Sequence, residues 1–486
     1  MTYRKLSLRP LNAMLKQALH SRAFKRTALG AGALAPAFAL ANPTGGQVVG
    51  GSASISVPDA NHTIINQASQ SAILNWQQFS IGSNQYVQFI QPDSSSVVLN
   101  RVIGGNPSQI LGNLSANGQV FLVNPNGVFF GQTATLDVQG LIATTLDIKD
   151  SDFLAGHYTF SKGSTAPDAS VVNQGNISAN GGYVVLAGDY AENDGVIAAQ
   201  AGTVVLASGN QMALTLNNNA LVSFVVDQAT LAQYAGVNNV GTITADGGTV
   251  LMTAKVANAL TATAVNNSGL ITAHSIQDHN GVIILAAQGG DINESGTLDA
   301  SATQSGVTGG AVVIRGDHHT DIASTASINA AGDNANGGFV ELSGHHLSVR
   351  GNVNVGNGGN LLIDPMKLYI TSGGASHGSW TSGDWVTTTF IDTQLNAGVS
   401  LTLVASNSVT AAIPPGDAGA AAAANITGTN ANGNLTIKTG SLQIHSNSTG
   451  GSLVGSYCGQ GVCTPYVSGP TAYAFTPTNG TISLSG

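Results

Sequence analysis

The first place to look for chemistry is a pair of histidine clusters. Val312 and Val340 lie 28 residues apart, and the same offset carries Ile314 to Leu342, Asp317 to His345 and His318 to His346. If these segments stack in register, Asp317 falls one strand spacing from His345, and His318 from His346. That geometry could hold a transition metal or pair imidazole with carboxylate. The favoured reading is plainer: histidines in solvated turns after Gly316 and Gly344, with no metal and no cofactor. The densest acidic group, Asp189, Glu192 and Asp194, lies beside glycines and reads as a solvated turn or a weak calcium loop. Glycan-cleaving sites need carboxylates gathered on one face, and here the acids are scattered. No nucleophile elbow, phosphate-binding glycine loop or paired metal-binding cysteine motif is present. Cys458 and Cys463 enclose Gly-Gln-Gly-Val, flexible enough to close a small structural disulfide loop in an exported protein.

The elements that carry these residues are repetitive. A frame of Gly, any residue, Ile or Leu, any residue, Ala recurs at Gly112-Asn-Leu114, Gly175-Asn-Ile177, Gly195-Val-Ile197, Gly241-Thr-Ile243, Gly269-Leu-Ile271 and Gly296-Thr-Leu298. Variants follow at Ile328 and Val353, and each frame is answered by a second apolar run such as Tyr183-Val-Val-Leu-Ala187 or Thr203-Val-Val-Leu-Ala207. After Gly241 the anchors lie 28, 27, 30 and 25 residues apart. That period exceeds a hairpin, and the strand content exceeds a leucine-rich horseshoe, so one repeat is one coil of a parallel β-helix. The expected fold is all-β, a parallel β-helix solenoid with an N-terminal cap and extra-helical hairpins.

Composition agrees. The chain has 62 glycines in 486 residues, 8% charged and 5% aromatic residues, which is too apolar for disorder and suits closely stacked backbones. Residues 1–41 hold Arg4, Lys5, Arg9, Lys16, Arg22, Lys25 and Arg26 and no acid, leaving 8 basic against 24 acidic residues in the remainder. Such an acidic body has no basic stripe with which to hold nucleic acid. The basic start, the short apolar run from Thr27 to Phe38 and the small residues Ala39-Leu40-Ala41 read as a secretory signal over 1–41. Nothing later is long and apolar enough to be a transmembrane segment.

One stretch stands out. Asn124-Pro125-Asn126-Gly127 forces a tight turn between Val120-Phe121-Leu122-Val123 and Val128-Phe129-Phe130, because Pro fixes φ while Asn and Gly accept positive φ. Together with Asn100-Arg101-Val102-Ile103-Gly104-Gly105-Asn106-Pro107 upstream, this string resembles the secretion domain of two-partner-secreted exoproteins of the filamentous-haemagglutinin and high-molecular-weight-adhesin type. The resemblance covers roughly Asn42 to Ala300. It implies a right-handed parallel β-helix exported across the outer membrane by a dedicated β-barrel transporter; Asn106, Pro107, Asn124, Pro125, Asn126 and Gly127 either form only the corner that nucleates the coil stack or are also read, while unfolded, by the transporter's periplasmic domains. The resemblance does not say what the exported protein binds; the reading adopted is a non-enzymatic exoprotein, secreted or held at the surface of a Gram-negative cell, acting as an adhesin on an unknown host-cell or bacterial receptor. A haem- or host-protein-capturing exoprotein, the stalk of a contact-dependent toxin, and a carbohydrate-active β-helix enzyme remain as alternatives. Trp76 and Phe79, in a segment resembling a family signature, are expected to plug the core beneath a cap. The expected organisation is a signal at 1–41, the capped secretion domain at 42–300, continuing repeats at 301–365 and a less regular β-rich region at 366–486 in a short or truncated member. A loop or hairpin is expected at 151–170, a hairpin at 212–226 and a short helix over 228–235.

Overall fold

The computed structural model describes residues 42–371 except 233, 258–262 and 278, then 385–405, and backbone strands between 408 and 485. The coils from Asn176 onward contribute three lines of strands, the second and third of which merge into one long strand at Ala311–Ile322 and at Phe339–Val349. The frame strands stack as a 12-stranded sheet, and the other two lines of strands join in a 26-stranded sheet. Apart from the cap, the frame sheet is parallel. It aligns Leu114, Leu136, Ile177, Ile197, Ile243, Ile271, Leu298, Ile328 and Val353 as successive cross-strand partners. The second runs align likewise, Val184 on Val204, Val250, Ile283, Val312, Val340, Leu361 and Leu401. All of these aliphatic side chains are buried in one continuous core. The fold is a parallel β-helix. Each coil hides its apolar face only against its neighbours, so no coil is stable alone.

The glycine of the frame is a packing requirement. A Cβ on Gly241 would sit 2.1 Å from the carbonyl oxygen of Gly195, and Gly269 and Gly296 each meet the preceding frame glycine at 2.2 Å. Any side chain there would push successive coils apart.

The third line of strands carries a buried polar column. Asn173 Nδ2 donates to Asn193 Oδ1, Asn193 Nδ2 to Asn239 Oδ1, and Asn239 Nδ2 to Asn267 Oδ1, each at 2.8 Å. An amide is both donor and acceptor, so identical residues one coil apart satisfy one another indefinitely. The column ends at Glu294, whose two oxygens accept from Asn267 Nδ2 at 3.0 Å while Gly296 N–H donates to Oε1 at 2.8 Å. Burial pushes the Glu294 carboxyl up to about 8, against the opposing pull of those hydrogen bonds. Because the folded value is raised, its stabilising contribution is full below the unfolded value near 4.5 and is lost as pH rises through about 8. Glu294→Gln should therefore leave stability little changed at pH 5 and raise it by roughly 3–5 kcal/mol at pH 9. Thermal melts of both proteins across that range check this.

Two regions leave the coils. Asp150–Leu154 is a short helix and Tyr158–Ser161 a strand that pairs antiparallel with Gln211–Asn217, which in turn pairs with Ala220–Gln228. The expected hairpin at 212–226 is present, but the 151–170 segment supplies its third strand. This small sheet covers a second apolar cluster on the outer side of the coils, including Phe121, Phe153, Tyr158, Phe160 and Tyr183. The helix expected over 228–235 does not form. The strand runs on to Gln228, and Thr230 then bridges Val256 and donates its hydroxyl to Asp189 at 2.7 Å. Eight residues with one end tied in extended form are too few to sustain an isolated helix. The proposed signal at 1–41 lies outside the described residues, as does more than half of 366–486, and beyond residue 405 only backbone strands are described.

Candidate functional site

The corner at Asn124 to Gly127 is built from both turns. Gly127 N–H donates to Asn124 O at 3.0 Å, closing a β-turn with Pro125 and Asn126 at its centre. Asn124 Oδ1 accepts the Asn126 backbone N–H at 3.0 Å, an Asx turn within it. Only Gly127 takes positive φ, at 114°; Asn126 does not, so this is a turn with Gly at its last position. Asn124 is fully buried, and its Nδ2 donates to Asn106 O and Ser108 Oγ, both at 3.0 Å. Asn126 Nδ2 donates to Gly104 O at 3.0 Å. The 104–108 segment and the Asn-Pro-Asn-Gly turn are thus one hydrogen-bonded unit. Within it Asn106 and Pro107 are exposed, and Pro125 and Asn126 are half-buried. Backbone bonds also tie it to its neighbours, Asn124 N–H to Thr144 O and Ser108 N–H to Gly127 O, each at 3.0 Å.

Arg101 anchors the next corner. Its guanidinium bonds Asp147 at 2.8 Å and Asp150 at 2.6 Å and also reaches Ile148 O, fixing the chain as it enters the short helix. Nothing in the local sequence pairs residues this far apart.

Below the corner lies the cap. Gln47–Gly50 pairs antiparallel with Ser71–Trp76, and Ala53–Asp59 with His62–Gln67, before parallel stacking begins. Trp76 and Phe79 are buried edge-to-face with centroids 5.4 Å apart, and Trp76 Nε1 donates to buried Asn100 Oδ1 at 3.0 Å. An indole with its N–H satisfied by a buried amide is a packed plug and offers no platform to a ligand.

Of the acidic group only Asp194 lies exposed in a bend; Asp189 and Glu192 are buried. Asp189 is buried, accepting from Lys162 Nζ at 2.7 Å, Ala169 N–H at 3.0 Å and Thr230 Oγ1 at 2.7 Å. It ties the extra-helical segments to the coil. Glu192 lies within the strand Tyr190–Asn193, where burial and then the nearby Asp194 push its carboxyl up to about 7 while Asn238 Nδ2 donates to it at 2.7 Å. Among the described residues no group of three or more His, Cys, Asp or Glu is arranged to hold a metal ion.

The histidine register differs from the expected one. The 28-residue offset holds from Ala311 on Phe339 to Gly316 on Gly344, but pairing resumes with His319 on His346. Asp317 and His318 together face His345 alone, so His318 does not partner His346 and Asp317 does not pair with His345 across the ladder. A bulge inserts one residue here, and a pattern of equal spacings cannot reveal it. Cys458 and Cys463 stand opposite each other in a two-residue antiparallel ladder; the disulfide expected between them concerns side chains outside the described residues.

Comparison with known proteins follows the same architecture. A heme/hemopexin-binding protein of Haemophilus influenzae strain Rd is 36% identical over 265 residues, covering 53% of this chain and 28% of its own length. A second Haemophilus influenzae heme/hemopexin-binding protein is 31% identical over 329 residues, covering 63% of this chain and 34% of its own. The chain therefore spans about a third of the length of these curated relatives. The crystal structure of the HMW1 secretion domain from Haemophilus influenzae superposes with a TM-score of 0.62 at 29% identity, covering 75% of this chain and 95% of that one. No helix among the described residues is long and apolar enough to cross a membrane. Residues 39–300, more than half of the chain, match the TPS secretion domain, and with this corner, cap and coil stack the chain belongs to that family.

Proposed function

We propose that residues 42–300 address the chain to a dedicated outer-membrane barrel transporter, whose periplasmic domains bind Asn106, Pro107, Asn124, Pro125, Asn126 and Gly127 before they fold. Outside the cell the same residues close the first corner, and each coil then stacks on the last. Stacking releases free energy on one side of the membrane only, so it draws the chain outward without nucleotide. The observation that carries this reading is the bond from buried Asn124 to Asn106, which makes one unit of two motifs 18 residues apart. The product is a non-enzymatic exoprotein, released or held at the cell surface. Co-expression of the full chain with its transporter should deliver it to the medium or surface. Replacement of Asn106 to Gly127 by a Gly-Ser sequence should strand it in the periplasm, and unaltered delivery of that replacement would refute the assignment.

For the cargo, the names of the two relatives favour capture of haem or a haem-carrying host protein over the adhesin reading. Haem titration followed by its visible absorbance, together with a hemopexin pull-down, separates these readings. Retention of neither ligand, alongside adhesion of the purified chain to host cells, would return the adhesin.

A further inference from the structure

The small extra-helical sheet reaches back along the coils. Its strands Tyr158–Ser161, Gln211–Asn217 and Ala220–Gln228 form a sheet of their own, with one bridge from Ser161 to Asp147 beside it. The hairpin tip lands on Gln119–Val123, the strand that leads directly into the Asn-Pro-Asn-Gly corner. There Gln119 Nε2 donates to Asn218 O at 2.8 Å across 99 residues of chain, and Asn219 Nδ2 donates to Gly181 O at 3.1 Å. Asn218 holds a positive φ of 54° at this tip, a conformation asparagine tolerates better than most residues. From the coils, Tyr183 Oη donates to Gln119 Oε1 at 2.6 Å. Gln119, Gly140 and Tyr183 are successive ladder partners, and a Cβ on Gly140 would sit 2.8 Å from the Tyr183 ring. The absent side chain at Gly140 is what lets the phenol reach Gln119.

The strand beneath is shared between two cores. Val120 and Leu122 belong to the coil core, and Phe121 and Val123 to the outer cluster with Met212, Leu214 and Val226. Phe121 meets Phe153 and Tyr158 edge-to-face, with centroids 5.7 and 5.3 Å apart. Its outward face is therefore completed by chain lying between residues 153 and 226. We propose that the extra-helical sheet is a clasp. Gln119–Val123, and with it the corner, is sealed only when the chain through Gln228 has folded, and it reopens only when the hairpin lifts. Burial of Phe121 and Val123 holds the clasp shut. The sheet meets the coils through side chains and the bonds at its tip, so it can lift as one unit while the coil ladder stays paired. The clasp is a property of the purified chain; only its consequence for export rests on the transporter reading above. Once the hairpin has emerged and closed, the corner no longer unfolds for the transporter.

Hydrogen exchange of the purified chain, read by mass spectrometry in increasing guanidinium chloride, tests this without the transporter. In the wild type the amides of 119–123 should exchange with or after those of 212–226 and never before them. In Leu214→Asp, which sets a carboxylate beneath the hairpin, exchange at 119–123 should quicken at least tenfold while 283–287 keeps its wild-type rate. Exchange of 119–123 ahead of 212–226 in the wild type would overturn the proposal, and that comparison holds even if Leu214→Asp fails to fold. Unchanged exchange at 119–123 in Leu214→Asp, with the hairpin amides exposed, would overturn it as well. So would equal quickening at 283–287, because the sheet would then support the whole stack instead of sealing one strand.

Discussion

Asn124→Ala is expected to destabilise the purified chain by about 2–4 kcal/mol and to reduce its secretion to near background. The side chain is fully buried, and it holds Asn106 O, Ser108 Oγ and the Asn126 backbone N–H together. Alanine leaves the buried Ser108 hydroxyl and that N–H without these partners, and each buried polar group left unmet costs about 1–3 kcal/mol. Pro125→Ala separates folding from recognition. Pro125 is half-buried, has no N–H to lose, and contributes chiefly by restricting the unfolded chain, so its replacement should cost under about 1 kcal/mol. If the transporter reads the unfolded motif, Pro125→Ala still lowers secretion several-fold while the melting temperature scarcely moves. Secretion at the wild-type level in Pro125→Ala, with loss only in Asn124→Ala, would reduce the corner to a folding device.

The second large effect belongs to the cap. Trp76→Ala should cost about 3–5 kcal/mol, the sum of a cavity beside Phe79 and an orphaned acceptor on buried Asn100. Trp76→Phe keeps most of the ring and loses only the N–H donor, so about 1–2 kcal/mol is expected. Chemical denaturation gives both values. A loosened cap also bares strand edges that pair with any other chain, so Trp76→Ala should form concentration-dependent aggregates that Trp76→Phe does not. Equal, small losses in the two variants would show that the indole carries no core packing.

The coil stack was legible because its signal repeats. Glycine, a branched aliphatic and alanine at fixed spacing marked six frame strands, and with Ala326 in the glycine place or Val355 in the alanine place also those at Ile328 and Val353, but not the one around Leu136. There Ala134 and Val138 occupy the places of the usual glycine and alanine, and the coil is seen only through its partners Leu114 and Ile177. The asparagine column was not legible, since Asn173, Asn193, Asn239 and Asn267 each precede a turn and satisfy turn propensity locally. Their mutual bonding requires knowing that 20, 46 and 28 residues of chain close into one coil each. The same limit applies to Tyr158–Ser161, whose partner strand comes some fifty residues later, and to the bulge at Gly316, which removes one residue of register without any mark in composition. At the candidate site, the sequence named the turn residues and the structure supplied the bond between Asn124 and Asn106. That bond depends on which of two polar turns lies beneath the other, and periodicity does not encode it.

The unequal coil lengths bear on how such a gene changes over time. From Asn176 to Val196 the frame strands are 20 residues apart and from Val196 to Thr242 they are 46, yet both steps preserve the same cross-strand partners. The additional chain exits after Ser208 and re-enters at Gly236, and the ladder on either side is indifferent to what lies between. Deleting or adding a single codon inside a strand inverts every side chain beyond it, whereas a change of length at that exit keeps the ladder in register, provided that Met212, Leu214 and Val226 still cover the outer apolar cluster. Lineages carrying this scaffold should diverge by block insertion at the exit and stay fixed in length along the strands, which makes the exit the natural place to graft a foreign peptide for display.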